Sequence, residues 1–509
     1  MTTARTAVSK NKNGRSKESE GRKLITFAIS ICDPVKGDDG RHYVSFHDTP
    51  HIAVPHASKN SDACDQVSNR WFHHNGEWPT ATAKAMLADY LTVQCKDEKA
   101  RAVNLRASTY GGNIYLDTAW SKNEVIEITP TGVNVLHTAP VLFARSGVTS
   151  PLPSIAEQTL DITALLKFIR ISKDALPALV SCLLIGWMVK VPQPIVFFQG
   201  SAKSGKTSAL RILLDLVDPT TAYPGATLTN SPKEIKAMAS MRRTFVFDNV
   251  SYVDADDSDL LARISTGGEV ILRAHYTNDE AHTTSIMRPV LINGIMDGFN
   301  RGDLSSRAVT FELQTLGAYD IESRDVLDAE WAVKKPLLFA TLLQLCSHVL
   351  SDLVSDTEKH VTLHRNQELA KVTRLVSKRI GIEGSAYIEE SVGKLSEVVL
   401  GSSVFGESMA AIAECMNANP HACSHDYEYA QGNLQQSQIT GKKLNSNQLH
   451  EIIVNHTPEA KVRDLPDTAK KRGEALQRTE ADLLVVHGVQ VIKGHNKKGT
   501  YYQFELVKQ

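Results

Sequence analysis

The stretch that decides the fold is 195–208, IVFFQGSAKSGKTS. The apolar run Ile195–Phe198 is typical of a buried strand, and a helical pattern follows the loop up to Val217. The loop fits G-x-x-x-x-G-K-[ST], a motif that is specific when a strand precedes it and a helix follows. The residues expected to bind the nucleotide are those of the motif and the serine after it: Gly200, Ser201, Ala202, Lys203, Ser204, Gly205, Lys206, Thr207 and Ser208. This pattern predicts a phosphate-binding loop (P-loop) and an α/β core built on a parallel sheet.

The residue types of the loop indicate its chemistry. Glycines let backbone N–H groups face an anion, and the N-terminus of the following helix adds partial positive charge. Lys206 is expected to reach the β- and γ-phosphates, and Thr207 to bind Mg²⁺. The predicted cofactors are therefore ATP, or another nucleoside triphosphate, and Mg²⁺.

A second apolar strand, Phe245–Phe247, is followed by Asp248, where a P-loop sheet needs a carboxylate for its magnesium ion. Asp248 is the expected Walker B acid and a metal-binding residue. Asn249 comes next, where many such ATPases have an acid that activates water, and an amide cannot act as a base. Three alternatives stay open: Asp248 has both roles, another acid such as Glu269 contributes, or hydrolysis is slow.

Two more residues are candidates for catalysis. Asn293 ends a third apolar strand, where its amide would orient water near the γ-phosphate. Arg307 precedes a further strand, where it would suit a finger that neutralises charge on a neighbouring subunit's nucleotide. A surface ion pair is the alternative for Arg307, and Arg301 competes with it.

Residues 267–280 lie between the acid and the third strand and predict a β-hairpin with its turn at 278–280. The hairpin carries Arg273, His275 and Tyr276. Packing of Tyr276 in the core, with Arg273 in solvent, is the alternative to a binding role.

This order of features resembles superfamily 3 helicases of the AAA+ class. It is more closely similar to the P-loop ATPases of phages, prophages and mobile elements that are related to poxvirus-type and virulence-associated E-type helicase-primases. The resemblance implies a ring of six subunits whose hairpins grip single-stranded DNA. It assigns Arg273, His275 and Tyr276 to those contacts, with Ala274 where a lysine would be expected.

The C-terminal residues predict a winged helix, because two helical patterns are followed by two strands around a basic turn. From Gly441 onward the chain has 12 basic and 8 acidic residues. The expected DNA contacts are Lys470, Lys471 and Arg472 on the recognition helix and Lys497 and Lys498 at the tip of the wing. Docking to a protein is the alternative for this domain.

The rest of the chain suggests several domains. The predicted division is a disordered basic arm (1–23), an N-terminal α+β domain of unknown role (24–150), a helical collar (154–190), the P-loop core (191–330), a helical domain (331–420), a linker (421–440) and the winged helix (441–509). Within it, Leu24–Ile31 is predicted as a strand and Ile155–Ile171 as a helix. The arm has seven basic and two acidic residues, which fit a solvated tail or a weak nucleic-acid contact.

Composition limits the class of protein. The chain has 509 residues, 42% of them apolar and 22% charged, and a net charge of -1, which indicates a globular protein with no global basic field. Leu179–Val189, taken as the longest apolar stretch, is shorter than the ~20 residues of a membrane span. Seven scattered cysteines are expected to be reduced, so a cytoplasmic location is predicted.

The sequence thus predicts an ATP-dependent DNA helicase or translocase that acts as a homo-hexameric ring in replication of a phage, prophage or mobile element. One alternative is a nucleotide-switched replication initiator with little turnover. The other is a signalling or defence ATPase whose winged helix binds protein.

Overall fold

The computed structural model describes most of the chain in thirteen stretches. They are 19–201, 204–229, 231–272, 282–294, 304, 306–315, 323–358, 364–418, 424–430, 433–438, 440–441, 443–496 and 499–507. The described residues fold into two compact units: the first comprises 19–127 and 134–149, and the second comprises 128–133 and the described residues from Ser150 onward.

The first unit combines helices with two sheets. Its helices are α1 (Glu20–Ile31), α2 (Asp62–Asn75) and α3 (Ala81–Asp97). Its strands are β1 (Cys32–Lys36), β2 (His42–Phe46), β3 (Thr49–His56), β4 (Val103–Asn104), β5 (Ala107–Tyr110), β6 (Asn113–Asp117), β7 (Val125–Thr129), β8 (Gly132–Leu136) and β9 (Leu142–Phe143), although residues 128–133 of β7, β8 and the turn between them belong to the second unit. One sheet has the order β1-β2-β3-β9-β4 and the other β5-β6-β7-β8. The three helices pack on the first sheet around buried side chains such as Leu24, Phe46, Val67 and Leu87.

The prediction of a strand at Leu24–Ile31 is wrong, because these residues belong to α1. The β-branched and aromatic residues of this run favour a strand locally. Leu24 and Ala28, however, are buried four residues apart, on the helical face that packs against α3. Tertiary packing therefore overrides the local propensity.

The centre of the second unit is a four-stranded parallel sheet, as the sequence predicts. Its strands are β10 (Ile195–Gln199), β11 (Phe245–Val250), β14 (Val290–Gly294) and β15 (Ala308–Glu312), in the order β11-β14-β10-β15. A parallel bridge from Ala226 to Phe247 extends the sheet beyond β11. β10 lies between β14 and β15, and its side chains are mostly buried. Its carboxyl end leads into the loop that follows it.

Helices surround this sheet and continue into a helical region. They are α4 (Leu176–Trp187), α5 (Lys206–Val217), α6 (Pro232–Met241), α7 (Ala255–Thr266), α8 (Arg324–Ser355), α9 (Gln367–Ile380), α10 (Ser385–Gly401) and α11 (Val404–Ala418). A separate antiparallel pair, β12 (Glu269–Leu272) and β13 (His282–Ser285), lies between α7 and β14 in the chain.

The predicted helix at Ile155–Ile171 is wrong except for one short 3-10 segment, Ile162–Lys167. The backbone of Leu160 instead bonds the hydroxyl of Thr341 on α8, with its N–H donating over 3.1 Å and its carbonyl accepting over 2.7 Å. Backbone groups that bond another element are not available for an α-helical ladder. The collar therefore has one α-helix, α4, in place of two.

Helix α5, which follows the predicted P-loop, is joined to the long helix α8 through one carboxylate. Asp215 accepts a hydrogen bond from the indole N–H of Trp331 (2.7 Å) and one from the ammonium of Lys335 (2.9 Å). Among the described residues, α8 is the one helix long and apolar enough to span a membrane, but most of its apolar window is buried within the protein. The bent pair of α10 and α11 also passes that test if counted as one span. A core helix passes it equally.

The C-terminal part of the second unit is a small α/β arrangement. It contains β16 (Ser424–Ala430), β17 (Asn433–Gln438), β18 (Leu444–Asn445), α12 (Ser446–Asn455), α13 (Ala469–His487), β19 (Val489–Asn496) and β20 (Gly499–Leu506). β19 and β20 form a hairpin, and β18 pairs with β20. Side chains of α11 share one apolar core with α12 and α13, for example Phe405 and Met409 with Leu449 and Leu476.

Two expectations for this part need correction. The predicted linker at 421–440 contains the antiparallel strands β16 and β17, because polar glutamine-rich segments can pair through their backbones. Cysteine pairing also differs. Cys32, Cys64, Cys95, Cys182 and Cys346 are free and buried as expected, whereas Cys415 is in a disulfide.

Candidate functional site

The loop after β10 has the backbone that close approach of an anion requires. At Gly200 the φ angle is +149°, and a Cβ there would lie 2.7 Å from Ser204 Oγ and 3.1 Å from the Leu313 carbonyl oxygen. Gly205, at the start of α5, has a φ of +91°, a value at which side chains are strained. The Ser204 hydroxyl is buried with no hydrogen-bond partner among the described residues. The glycines and this hydroxyl fit a phosphate cradle. Ala202 and Lys203 lie outside the described residues.

Lys206 is the first residue of α5, and its side chain folds back over the loop. Its Nζ donates to the carbonyl of Gly200 (2.7 Å) and to that of Ser201 (3.0 Å). These bonds hold the ammonium group at the loop, at the positive end of the α5 dipole. The lysine therefore lies where it can meet phosphate oxygens.

Three predicted residues meet at the carboxyl end of the sheet. Thr207 Oγ1 donates to Asp248 Oδ1 over 3.1 Å, and Asn293 Nδ2 points to the same hydroxyl over 3.4 Å. The strand order brings them together, because β14 lies between β10 and β11. We call Thr207, Asp248 and Asn293 the carboxylate network. Its hydroxyl, carboxylate and amide oxygens are hard ligands of the kind that suit Mg²⁺.

A β-bulge shapes this end of β11. The register between β11 and β14 shifts between Phe247 and Val250, and Asn249 has a φ of +61°. The N–H of Asn249 donates to Asn293 Oδ1 over 2.6 Å. Gly294 makes the bulge possible, since a Cβ there would lie 1.9 Å from the Val250 carbonyl oxygen. A strained, non-glycine residue is thus held beside the carboxylate.

Sequence reasoning missed Tyr223, which supplies the other partner of Asp248. Its hydroxyl donates to Asp248 Oδ2 over 2.9 Å. Burial and then the carboxylate raise the pKa of this phenol, so it stays a donor at neutral pH. The Arg211 guanidinium lies 4.4 Å from the ring centroid, and Gly225 leaves room for the ring, since a Cβ there would be 2.4 Å from it. The only sequence signal is the glycine two residues after the tyrosine.

We expect Tyr223→Phe to raise the Mg²⁺ concentration needed for half-maximal ATP hydrolysis by about 10- to 100-fold. The phenol fixes the orientation of the carboxylate, and phenylalanine keeps the ring packing while removing the donor. A Mg²⁺ titration of hydrolysis measures the effect. Tyr252→Phe is the matched control, because Tyr252 is 62% exposed. An unchanged titration in Tyr223→Phe would show that the hydrogen bond is irrelevant to the metal.

Arg307 lies at the amino end of the parallel strands, opposite the P-loop end. It directly precedes β15, whose Ala308 pairs with Ile195 at the amino end of β10, whereas the P-loop follows Gln199 at the carboxyl end. At ~3.3 Å per residue, this places Arg307 about 20 Å along the strand direction from the loop. An arginine side chain cannot span that distance, so Arg307 does not reach the P-loop of its own chain.

The structure describes the base of the predicted hairpin and not its tip. Leu272 pairs with His282, so 273–281 connect the two strands. Arg273, His275, Tyr276 and the predicted turn at 278–280 lie outside the described residues, as do Arg301 and the side chain of Glu269. Their assignments stay predictions.

The C-terminal lysines and the neighbouring arginine have different environments. Lys470 and Lys471 are exposed in the first turn of α13, each near an acid, at 3.9 Å from Glu474 and 2.9 Å from Asp467 respectively. The prediction of a DNA contact at Arg472 is wrong, because this side chain is buried. Its guanidinium turns inward and donates to the carbonyls of the two residues before the helix cap (3.2 and 3.1 Å). Lys497 and Lys498 lie outside the described residues.

The part of the chain that holds this site matches a known family. Residues 162–375, less than half of the chain, match the profile of the family described as actinomycete integrative conjugative element replication protein. The matched segment contains all four strands of the parallel sheet. This region is therefore similar to a replication protein of mobile elements. No curated protein sequence matches the chain.

Solved structures give weaker likenesses. The "SCCmec type IV Cch - active helicase" is 12% identical, with a TM-score of 0.42 and 94% of each chain covered. The apo NrS-1 C-terminal region is 10% identical, with a TM-score of 0.39, 97% of this chain covered and 100% of that one. A JCV helicase bound to a small molecule is 16% identical, with a TM-score of 0.20, 44% of this chain covered and 65% of that one. At such scores none of these likenesses bears on the activity of this chain. The comparison that bears on function is therefore the family match over residues 162–375.

Proposed function

We propose that this protein is a Mg²⁺-dependent ATPase that drives DNA translocation or unwinding in the replication of a mobile element. The observation that carries the proposal is that Thr207, Asp248 and Asn293 meet at the carboxyl end of the sheet, beside a loop whose conformation requires glycine. Magnesium, when bound, supplies charge that stabilises the transferring phosphoryl group. The family match over 162–375 supports a role in replication.

The residues of the site have separate roles in this proposal. The loop backbone and Lys206 bind the phosphates, Thr207 and Asp248 hold the metal, and Asn293 orients water near the γ-phosphate. Asn293 also couples these steps, since its amide bonds the Asn249 backbone on one side and faces Thr207 on the other. A movement of the P-loop helix is thereby transmitted to the bulge in β11.

Turnover in a ring would use two contributions from other parts of the chain. Arg307, which is far from its own P-loop, would act on the nucleotide of a neighbouring subunit. The hairpin residues Arg273, His275 and Tyr276 would grip single-stranded DNA in the channel, as the resemblance implies.

The C-terminal elements support a winged helix that binds duplex DNA. The strands β18, β20 and β19 form one sheet. The helices α12 and α13 pack in one apolar core with this sheet and with α11. The exposed lysines at the start of α13 are the proposed phosphate contacts.

We expect Lys470→Gln combined with Lys471→Gln to weaken duplex binding and to reduce its salt slope by up to about 0.9 for each phosphate that is no longer neutralised. Lys378→Gln with Lys394→Gln, at exposed positions on α9 and α10, is the matched control. Arg472→Ala should instead lower the free energy of unfolding by about 1–3 kcal/mol, because it removes a buried side chain and its hydrogen bonds to the Pro466 and Asp467 carbonyls. Duplex titrations at several salt concentrations and a denaturant melt separate the two effects. Duplex binding by the double-lysine variant that equals the parent's would favour protein docking.

A second candidate function is a nucleotide-switched initiator with little turnover. Asn249 favours it, because the residue after Asp248 is an amide that cannot accept a proton from water. ATP turnover, measured with and without single-stranded DNA, distinguishes the two functions. Turnover stimulated by DNA supports the motor, whereas tight ATP binding with no turnover under either condition supports the initiator.

A further inference from the structure

A short segment before α9 is bonded to the backbone around Arg307. The N–H of Arg365 donates to the Ser306 carbonyl over 2.9 Å, and the N–H of Arg307 donates to the Leu304 carbonyl over 3.0 Å. Both bonds lie immediately before β15. The segment 364–366 therefore runs alongside the turn that carries the arginine.

The centre of this contact is a buried histidine. His364 is 1% exposed, and its Nδ1 accepts a hydrogen bond from the Asn366 N–H over 3.0 Å. Its ring also interacts with the backbones of Arg307 and Ala308. Burial lowers the pKa of His364 to about 4, so the ring is neutral at physiological pH. A neutral ring that accepts at Nδ1 carries its proton at Nε2, where it can donate to a backbone carbonyl.

Asn366 fixes the other side of the histidine. Its Oδ1 caps α9 by accepting from the Leu369 N–H (3.0 Å), and its Nδ2 donates to the Pro192 carbonyl (2.7 Å), shortly before β10. The imidazole is thus held between a capped helix and the backbone that leads into the sheet. A buried polar group with partners on several segments holds those segments in one arrangement.

We propose that His364 is a positioning residue for Arg307. The inference rests on the proposed ring, in which Arg307 acts on the nucleotide of a neighbouring subunit, and His364 acts through the arginine. A cation that stabilises a transition state must be held accurately, since a misplacement of about 1 Å can cost about 100-fold in rate. Arg307 lies in a turn that precedes β15, so the sheet ladder does not fix its backbone, and the segment 364–366 supplies this support.

The split between rate and affinity tests this role. His364→Leu should lower the kcat of ATP hydrolysis by about 10- to 100-fold and leave equilibrium binding of a fluorescent ATP analogue unchanged. His364→Asn should be intermediate, because it keeps an acceptor for the Asn366 N–H and loses the Nε2 donor. Equal kcat in His364→Leu and the parent would overturn the proposal.

Stability is controlled in the same assay. Val372→Ala is the matched control, since Val372 is buried on α9 and belongs to none of the contacts described above. It should lower the melting temperature and keep the parent's kcat at temperatures where all variants are folded. If His364→Leu does not fold, His364→Asn takes its place, and a parental kcat in that variant would equally overturn the proposal.

Mixed assemblies show whether the histidine acts through the arginine. His364→Leu subunits keep an intact P-loop and Lys206→Ala subunits supply an intact Arg307, so their mixture should hydrolyse ATP faster than His364→Leu alone. A mixture of His364→Leu with Arg307→Ala should not, because neither subunit provides a correctly held arginine. Recovery in the second mixture would place the action of His364 elsewhere and overturn the proposal.

A parallel mixture of Arg307→Ala with Lys206→Ala separates this inference from the proposed function. If that mixture recovers turnover and the mixture of His364→Leu with Lys206→Ala does not, the finger stands and the positioning role of His364 is wrong. If neither mixture recovers, although the subunits are shown to co-assemble, the finger itself is wrong and the positioning role falls with it.

Discussion

Lys206→Ala should abolish ATP hydrolysis while the protein stays folded. The ammonium group lies on the loop through the carbonyls of Gly200 and Ser201, so its removal takes positive charge from the phosphate site and leaves the buried sheet intact. Phosphate release measures turnover, and a thermal melt close to the parent's checks the fold. Because the lysine would also act on the phosphates of bound ATP, ATP affinity should fall as well.

Lys190→Ala is the matched control, since Lys190 is an exposed lysine before β10 and outside the loop. It should hydrolyse ATP at the parent's rate. Turnover by Lys206→Ala at that same rate would remove the P-loop from the mechanism. A collapsed melt in Lys206→Ala would mean that the lysine is structural, and Lys206→Met, which keeps the stem, would then show whether charge matters.

Arg307→Ala should keep ATP binding and lose turnover by about 10³- to 10⁵-fold, the contribution of an arginine finger. The register of β15 on β10 places Arg307 at the amino end of the sheet, away from its own P-loop, so the proposed finger requires a nucleotide on another subunit. Turnover should therefore rise with protein concentration in the parent as subunits assemble. Equilibrium binding of a fluorescent ATP analogue and phosphate release separate affinity from rate.

Mixing provides the direct test of a shared site. In an assembly of Arg307→Ala with Lys206→Ala subunits, some interfaces combine an intact loop from one subunit with an intact arginine from its neighbour, and hydrolysis should partly recover. A mixture shown to co-assemble without recovery would contradict the finger. A chain that stays monomeric with ATP and DNA would remove the ring.

The strand before the P-loop and the helix after it can be predicted because each corresponds to a short local pattern in the sequence. An apolar run, a glycine loop and a helical run fix the path of the chain from Ile195 to Val217, and the structure has a strand and a helix there. Asp248 and Asn293 were found because each follows apolar residues of a buried strand. The order of those strands, which places the two side chains together, comes from pairing that no local pattern records.

Other features depend on interactions between distant segments. Tyr223 lies in an irregular segment, and only the fold brings its hydroxyl to Asp248. Arg472 and Lys471 are neighbours in the sequence and carry the same charge. Because successive residues of a helix point in different directions, Arg472 is buried while Lys471 faces solvent. Leu24–Ile31 has the composition of a strand and becomes a helix because one face of it is buried.

The link between α5 and α8 would carry a movement of α5 into a long helix. α8 has 32 residues, so at ~1.5 Å per residue it is a rod of about 48 Å, interrupted by Pro336. Asp215 accepts hydrogen bonds from Trp331 and Lys335, in the N-terminal part of α8. If α5 turns by about 5° when phosphate binds and α8 turns with it about this attachment, the end of α8 at Ser355, about 33 Å away, would be displaced by about 3 Å. A small movement of α5 on phosphate binding would therefore be enlarged at the C-terminal end of α8.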